Sequence, residues 1–189
     1  MEKYYRINFD PELENQWFLG APVDESGKEI AGWHFTMGKR WEGEETLSMS
    51  VGKKGVELSF SFGSLDMPVI REDLLNLLMP ILPLGEVQLI PVTVKGSKNK
   101  FYIFNALRLI DCIDESKSDF DLYVPSEDDD DSNRKYECIY KLIIDTDKTM
   151  GAIVFRHFDW DVALIVHEKI KKICEKNKII GLQFTPVTE

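Results

Sequence analysis

The chain has 189 residues, enough to bury a hydrophobic core without a metal ion or a disulfide framework. It carries 33 acidic and 23 basic residues, which give a formal net charge of −10. This charge leaves no general basic face for a phosphate backbone, so the composition opposes direct nucleic-acid binding. It favours solubility and a fast, salt-sensitive encounter with a basic partner.

The N-terminus and the cysteines indicate the compartment in which the protein works. The first residues, MEKYYRINFDPELE, lack the apolar segment of a signal peptide. No stretch approaches the roughly 20 apolar residues that cross a membrane. Cys112, Cys138 and Cys174 are widely spaced and odd in number, which argues against disulfides. We therefore expect a cytoplasmic protein that binds no membrane.

The N-terminal quarter combines one clear strand with an irregular segment. Residues 3–9 are rich in aromatic and β-branched types, which predicts a strand. The chain then reads as irregular to about residue 45, because glycines are frequent there. This segment holds Trp17, Trp33 and Trp41. We expect these side chains to fold the loops onto the core, with a binding platform as the alternative.

Alternating apolar and polar residues predict two hairpins in the middle of the chain. Residues 47–51 and 56–62 both alternate and flank the turn sequence GKKG, which predicts the first hairpin. Residues 71–79 carry four leucines after an acidic first turn, which predicts a short helix that ends before two prolines. Residues 87–94 and 101–113 flank GSKNK and predict the second hairpin.

Residues at about 114–134 differ from their surroundings by an excess of acidic side chains. Like charges repel and cannot be buried unpaired, so this segment is predicted to be an exposed insertion loop. Its most acidic part is a run of five carboxylates, Glu127, Asp128, Asp129, Asp130 and Asp131. The run lacks the alternating ligand spacing of a calcium-binding loop, so a solvated loop is favoured over a metal site.

The C-terminal third predicts three strands, a helix and a last strand, at residues 136–145, 152–158, 162–166, 167–177 and 179–187. The helix is amphipathic, with Val166, Ile170, Ile173 and Cys174 on one face and Asn177 as a cap. The whole pattern predicts an α+β fold of mostly antiparallel sheet with a few short helices. We expect a single domain, 1–189, with the acidic insertion at about 114–134.

One motif points to chemistry. Asp145-Thr146-Asp147-Lys148-Thr149 follows an apolar strand and resembles the first motif of haloacid-dehalogenase phosphatases, in which two aspartates act with Mg²⁺. Only 40 residues follow Thr149, too few for the parallel sheet and the later motifs of such an enzyme. Plain turn chemistry before Gly151 is favoured over a phosphatase site that uses Asp145 and Asp147.

Other candidate catalytic groups are isolated along the chain. The three histidines form no H-x-x-x-H pair, and no glycine-rich phosphate loop is present. A nucleophilic pair of Cys138 and His157 stays open, because such pairs meet only in space. Asp111-Cys112-Ile113-Asp114 is interpreted as a strand-to-loop transition. We predict no enzymatic activity, no catalytic residues, no cofactor and no metal ion.

Several segments together resemble a family of bacterial immunity proteins of polymorphic toxin systems, formerly a domain of unknown function named after a myxobacterial protein. The segments are Tyr4-Tyr5, residues 17–22, 87–92, 102–105 and 111–114, Ile153-Val154-Phe155-Arg156, Leu164-Ile165-Val166 and residues 180–187. The resemblance covers nearly the whole chain and implies an α+β domain that neutralises a toxin encoded beside it. It supplies no catalytic residues to transfer, and the acidic run is not part of its pattern.

These observations predict a protein that binds and neutralises a cognate protein toxin. An acidic inhibitor suits a basic nuclease, although other toxin classes stay open. The predicted partner-binding residues are the acidic run, 127–131. Two alternatives remain, the magnesium-dependent phosphatase and an acidic scaffold or nucleic-acid mimic.

Overall fold

The computed structural model describes residues 2–83, 85–124 and 135–189. Its strands, in chain order, are β1 (Tyr4–Phe9), β2 (Phe18–Val23), β3 (Leu47–Lys53), β4 (Phe60–Phe62), β5 (Pro68–Arg71), β6 (Val87–Val94), β7 (Phe101–Ala106), β8 (Leu109–Ile110), β9 (Asp119–Leu122), β10 (Tyr136–Lys141), β11 (Val154–His157), β12 (Leu164–His167) and β13 (Leu182–Pro186). The helices are α1 (Glu72–Leu78) and α2 (Glu168–Lys176), and three short 3-10 turns lie at Gly32–Phe35, Ser64–Asp66 and Thr146–Thr149.

Within these ranges the strands form two main sheets and one hairpin. The first sheet has the order β13-β1-β12-β11-β8, and the second has the order β2-β3-β6-β7-β5-β4. Most neighbours are antiparallel, whereas β8 with β11 and β3 with β6 are parallel. Strands β9 and β10 form the separate hairpin. The mixed sheets with few helices confirm the predicted α+β class.

The core has three layers because both faces of each sheet are covered. The central layer joins Ile7 and Leu164 of the first sheet with Phe104 of the second and with both helices. Alternation of side chains along each strand sends the next residues to the opposite face. There Tyr4 packs against Cys112, Ile113, Tyr136 and Ile139, and the outer face of the second sheet is covered by Trp17, Phe35 and their neighbours.

The last helix follows the predicted amphipathic pattern. Ile170 and Cys174 are buried, and Ile173 is half-buried against the same central layer. Asn177 caps the C-terminus, because its side-chain Nδ2 donates to the carbonyl oxygen of Ile173 at 2.8 Å. At the other end, His167 Nδ1 accepts the backbone N–H of Lys169 at 3.2 Å. No helix in the described ranges is long and apolar enough to cross a membrane.

The structure corrects three predicted elements. The first hairpin is wrong, because β3 pairs with β2 and β6 while β4 pairs with β5. The segment before residue 45 is less irregular than predicted, because it contains β2. The acidic insertion is not a loop throughout, because β9 lies inside it and pairs with β10. The hairpin of β6 and β7 is confirmed, although the second strand ends at Ala106.

Candidate functional site

The acidic run predicted as partner-binding, Glu127 to Asp131, falls within residues 125–134 and so lies outside the described residues. Along the chain, this segment connects β9 to β10.

The phosphatase-like motif forms a turn. The Asp145 carboxylate accepts the backbone N–H of Asp147 at 3.1 Å and so caps the 3-10 turn Thr146–Thr149. The Thr149 hydroxyl is buried, donates to the Thr146 carbonyl and meets the Tyr4 hydroxyl at 2.9 Å. The Asp145 side chain thus accepts a backbone hydrogen bond within the turn that it begins. This geometry confirms the prediction of turn chemistry.

The one histidine weighed as part of a nucleophilic pair is saturated with other partners. His157 is fully buried; its Nε2 lies 3.3 Å from a carboxylate oxygen of Asp111, and its Nδ1 accepts the N–H of Asp159. Burial lowers its pKa, although Asp111 opposes that shift. Because both ring nitrogens are engaged, His157 has none left to activate Cys138. The Asp111 side chain, predicted only as a strand end, therefore anchors a buried ring.

The thiols of Cys112 and Cys174 are also unsuited to catalysis. Both are buried, and burial raises the pKa of each to about 12. A thiol of that pKa stays protonated near neutral pH and is a poor nucleophile and a poor metal ligand. Across the described residues, no group of three or more His, Cys, Asp or Glu side chains is arranged to hold a metal ion.

The three N-terminal tryptophans differ in burial. Trp17 is buried, and its indole N–H donates to the Ser61 hydroxyl at 2.7 Å. Trp33 is 46% exposed and stacks on His34 with ring centroids 3.7 Å apart. The His34 ring in turn meets half-buried Trp41 at 5.9 Å. Trp17 therefore belongs to the core, whereas Trp33, His34 and Trp41 form an aromatic ladder that reaches the surface.

The ladder is fixed to the second sheet by side-chain hydrogen bonds. The side-chain amide of Gln88 on β6 accepts the backbone N–H of Trp41 at 2.8 Å and donates to the Trp41 carbonyl at 2.9 Å. Asn105 on β7 donates to the Lys39 carbonyl at 2.8 Å. These bonds order the loop before any partner arrives, which lowers the entropic cost of binding.

A second turn lies against the ladder and exposes a leucine. A Cβ atom on Gly32 would lie 2.3 Å from the Ser64 carbonyl oxygen, so only glycine allows the turns Gly32–Phe35 and Ser64–Asp66 to meet backbone to backbone. Leu65 is 66% exposed and has φ 56° and ψ 41°, and Asp66 has φ 52°. Left-handed backbone costs about 1–2 kcal/mol for each such residue.

We call Trp33, His34, Trp41 and Leu65 the turn-pair surface. Two large apolar side chains, Trp33 and Leu65, are exposed here, and the backbone of Leu65 is strained. Strain of this kind clusters at functional sites, and tryptophan is enriched among the residues that dominate protein interfaces. Exposed carboxylates follow along the same loop, at Glu42, Glu44 and Glu45. Sequence reasoning missed Leu65, because nothing in GSLDM signals a left-handed, exposed leucine.

Comparison with known proteins gives one finding. Residues 86–189 match the model of an immunity protein family, Imm11, and this match covers more than half of the chain. A comparison with curated proteins finds no match. The matched region begins just before β6 and includes α2 and β13, whereas the turn-pair surface precedes it, apart from the anchoring residues on β6 and β7. The chain therefore belongs to the immunity protein family Imm11.

Proposed function

We propose that this protein binds a cognate bacterial toxin and neutralises it by protein–protein contact, not by catalysis. Family membership supports the immunity role. The observation that carries the proposed mode of action is the turn-pair surface, where Trp33 and Leu65 are exposed on turns fixed by neighbouring backbone and side chains. The contacts among the described residues do not explain why the isolated protein would expose such a surface.

The energetics of the turn-pair surface suit an interface. Trp33 and Leu65 can each bury further apolar area against a partner, which stabilises a complex in proportion to that area. Because Gln88 and Asn105 already order the ladder, little additional conformational entropy is lost on binding. Truncation of a central aromatic residue in an interface costs about 2 kcal/mol or more, equivalent to roughly 30-fold in affinity.

The charge of the chain supports a basic partner. A net charge of −10 attracts a positively charged protein and accelerates its association. Nucleases that act on phosphate backbones are typically basic, so a nuclease toxin is the class we propose. The carboxylates of residues 127–131 would then steer the toxin during encounter, within about one Debye length, roughly 8 Å.

We further propose that residues 1–189 act as one cytoplasmic domain, with an acidic insertion at about 114–134. In support, β1 lies between β12 and β13, with Arg6 opposite Ile165 on one side and Thr185 on the other. The family-matched region therefore needs residues 4–9 to complete its first sheet.

Growth under toxin expression tests the proposal. Cells that express the toxin encoded next to this gene should grow only when the wild-type protein is co-expressed. The double variant Trp33→Ala with Leu65→Ala should lose this protection while it stays folded by circular dichroism. Failure of the wild type to protect would refute the immunity role. Full protection by the folded double variant would refute the turn-pair surface as the contact.

A further inference from the structure

An arginine that forms no salt bridge among the described residues lies on β1. Arg6 shares a face of the strand with Tyr4 and Asn8, because side chains alternate. Its guanidinium lies 5.1 Å from the ring centroid of Trp160. Its Nε is buried and has no hydrogen-bond partner among the described residues. Burial lowers the pKa of Arg6, and the negative charge of Asp66, which lies in a pocket on the other side of Arg6, opposes that shift.

The Arg6 side chain lies beside a cleft between β10 and β13. The cleft has a volume of about 200 Å³ and is open to solvent. Its polar lining includes Asn8, Thr185 and a second basic residue, Lys141. The Asn8 amide donates to the Thr185 hydroxyl at 3.3 Å. The Tyr140 hydroxyl, also at the cleft, donates to Asp121.

This arrangement is costly in the free protein. A guanidinium removed from water loses solvation, and it recovers the loss only through an anion and hydrogen bonds to its donors. The described residues that line the cleft include Arg6 and apolar side chains but no aspartate or glutamate, because Asp66 lies in a separate pocket. A carboxylate matches the planar fork of a guanidinium and can accept two parallel N–H bonds from it. The volume accommodates one carboxylate-bearing side chain.

We propose that the Arg6 cleft is a carboxylate-binding site, filled in the complex by an aspartate or glutamate side chain of the toxin. The source of the carboxylate rests on the proposed function, whereas the site itself does not. A single acidic anchor in a cationic cleft would set the orientation of a partner that is otherwise attracted by negative charge. The site would thus add specificity to an encounter driven by net charge.

Nuclear magnetic resonance tests the site without the toxin. The Nε–Hε signal of Arg6, assigned by its loss in Arg6→Lys, should shift saturably as acetate replaces chloride at constant ionic strength. Inorganic phosphate should shift it less. No saturable shift with acetate would overturn the proposal. A saturable shift with phosphate but not acetate would assign the cleft to phosphate and would equally overturn it.

Binding of the toxin tests the source of the carboxylate. Arg6→Gln should weaken the complex by about tenfold or more, whereas the charge-matched control Lys98→Gln, on the exposed β6–β7 turn, should change it less than about twofold. If Arg6→Gln protects cells and binds toxin as the control does, the toxin does not supply the carboxylate, and this proposal fails while the immunity role stands. Should Arg6→Gln not fold, the acetate titration of the wild type still decides the site.

Discussion

The contact between the two turns can be tested with one methyl group. Gly32→Ala would place a Cβ atom 2.3 Å from the Ser64 carbonyl oxygen, 3.1 Å from the Ser64 hydroxyl oxygen and 3.2 Å from the carbonyl carbon. The backbone oxygen and the methyl group would have to separate by about 1 Å to reach van der Waals contact. Two backbones must move, because the shortest contact, at 2.3 Å, is with a backbone oxygen and not with the end of a flexible side chain.

Overpacking of this kind costs about 1–3 kcal/mol. For a protein of this size, that loss lowers the melting temperature by about 2–4 °C for each kcal/mol. Urea unfolding followed by tryptophan fluorescence would measure the change in the free energy of unfolding. Since the turns would separate, Gly32→Ala should also bind the toxin more weakly.

Gly52→Ala is the matched control. For a Cβ atom on Gly52, within β3, the nearest atom beyond the adjacent residues is the Phe18 carbonyl oxygen at 3.6 Å, which is ordinary contact. Its free energy of unfolding should stay within about 0.5 kcal/mol of the wild type. If Gly32→Ala unfolds at the same urea concentration as Gly52→Ala, the two turns are not packed as described, and the turn-pair surface loses its basis.

Three further predictions concern the core, pH and the acidic run. Ile170→Ala should lower the free energy of unfolding by about 2–5 kcal/mol, because Ile170 is 2% exposed, and Ile173→Ala should cost less. Burial lowers the pKa of His167 below its unfolded value, so the unfolded chain binds more protons and stability should fall from pH 7.5 to 5.5. His167→Asn keeps an acceptor for the Lys169 N–H and should reduce that dependence in urea titrations, while His157, whose pKa burial also lowers, retains its share; an unchanged slope would contradict the assignment. Neutralising residues 128–131 should leave the melting temperature nearly unchanged and slow toxin association several-fold at low salt, whereas equal rates at every ionic strength would refute steering.

The sequence predicted those elements whose formation depends on residues that are close together in the chain. The hairpin of β6 and β7 follows from two apolar segments around GSKNK, and α2 follows from Ile170 and Cys174 at helical spacing. The turn at Asp145 was predictable for the same reason, because its side chain accepts the backbone N–H of Asp147, only two residues later in the chain.

Strand pairing was harder to predict, since it depends on distant partners. The sequence GKKG suggested that residues 47–51 pair with 56–62, yet β3 lies between β2 and β6. The β2 sequence FLGAPV contains a glycine and a proline, which mask its strand character, and its register with β3 shifts twice. Which strands pair depends on the hydrophobic core that each pairing buries.

The turn-pair surface was only partly visible in the sequence. A binding role for some of the tryptophans was an open alternative; Trp33 is exposed and stays a candidate for that role, whereas Trp17 is buried. The position of Leu65 could not be predicted, because its exposure depends on left-handed backbone and on contact with a turn more than 30 residues earlier. The pairing of Asp111 with His157 likewise joins residues 46 positions apart.

The most direct test of the central claim is a calorimetric titration of the purified protein with the toxin encoded next to its gene. We predict a saturable complex with the wild type, weakened at least about 30-fold in Trp33→Ala with Leu65→Ala. Ile180→Ala, which truncates another exposed apolar side chain, should bind as the wild type does. Absence of a complex between the wild-type protein and that toxin would contradict the account.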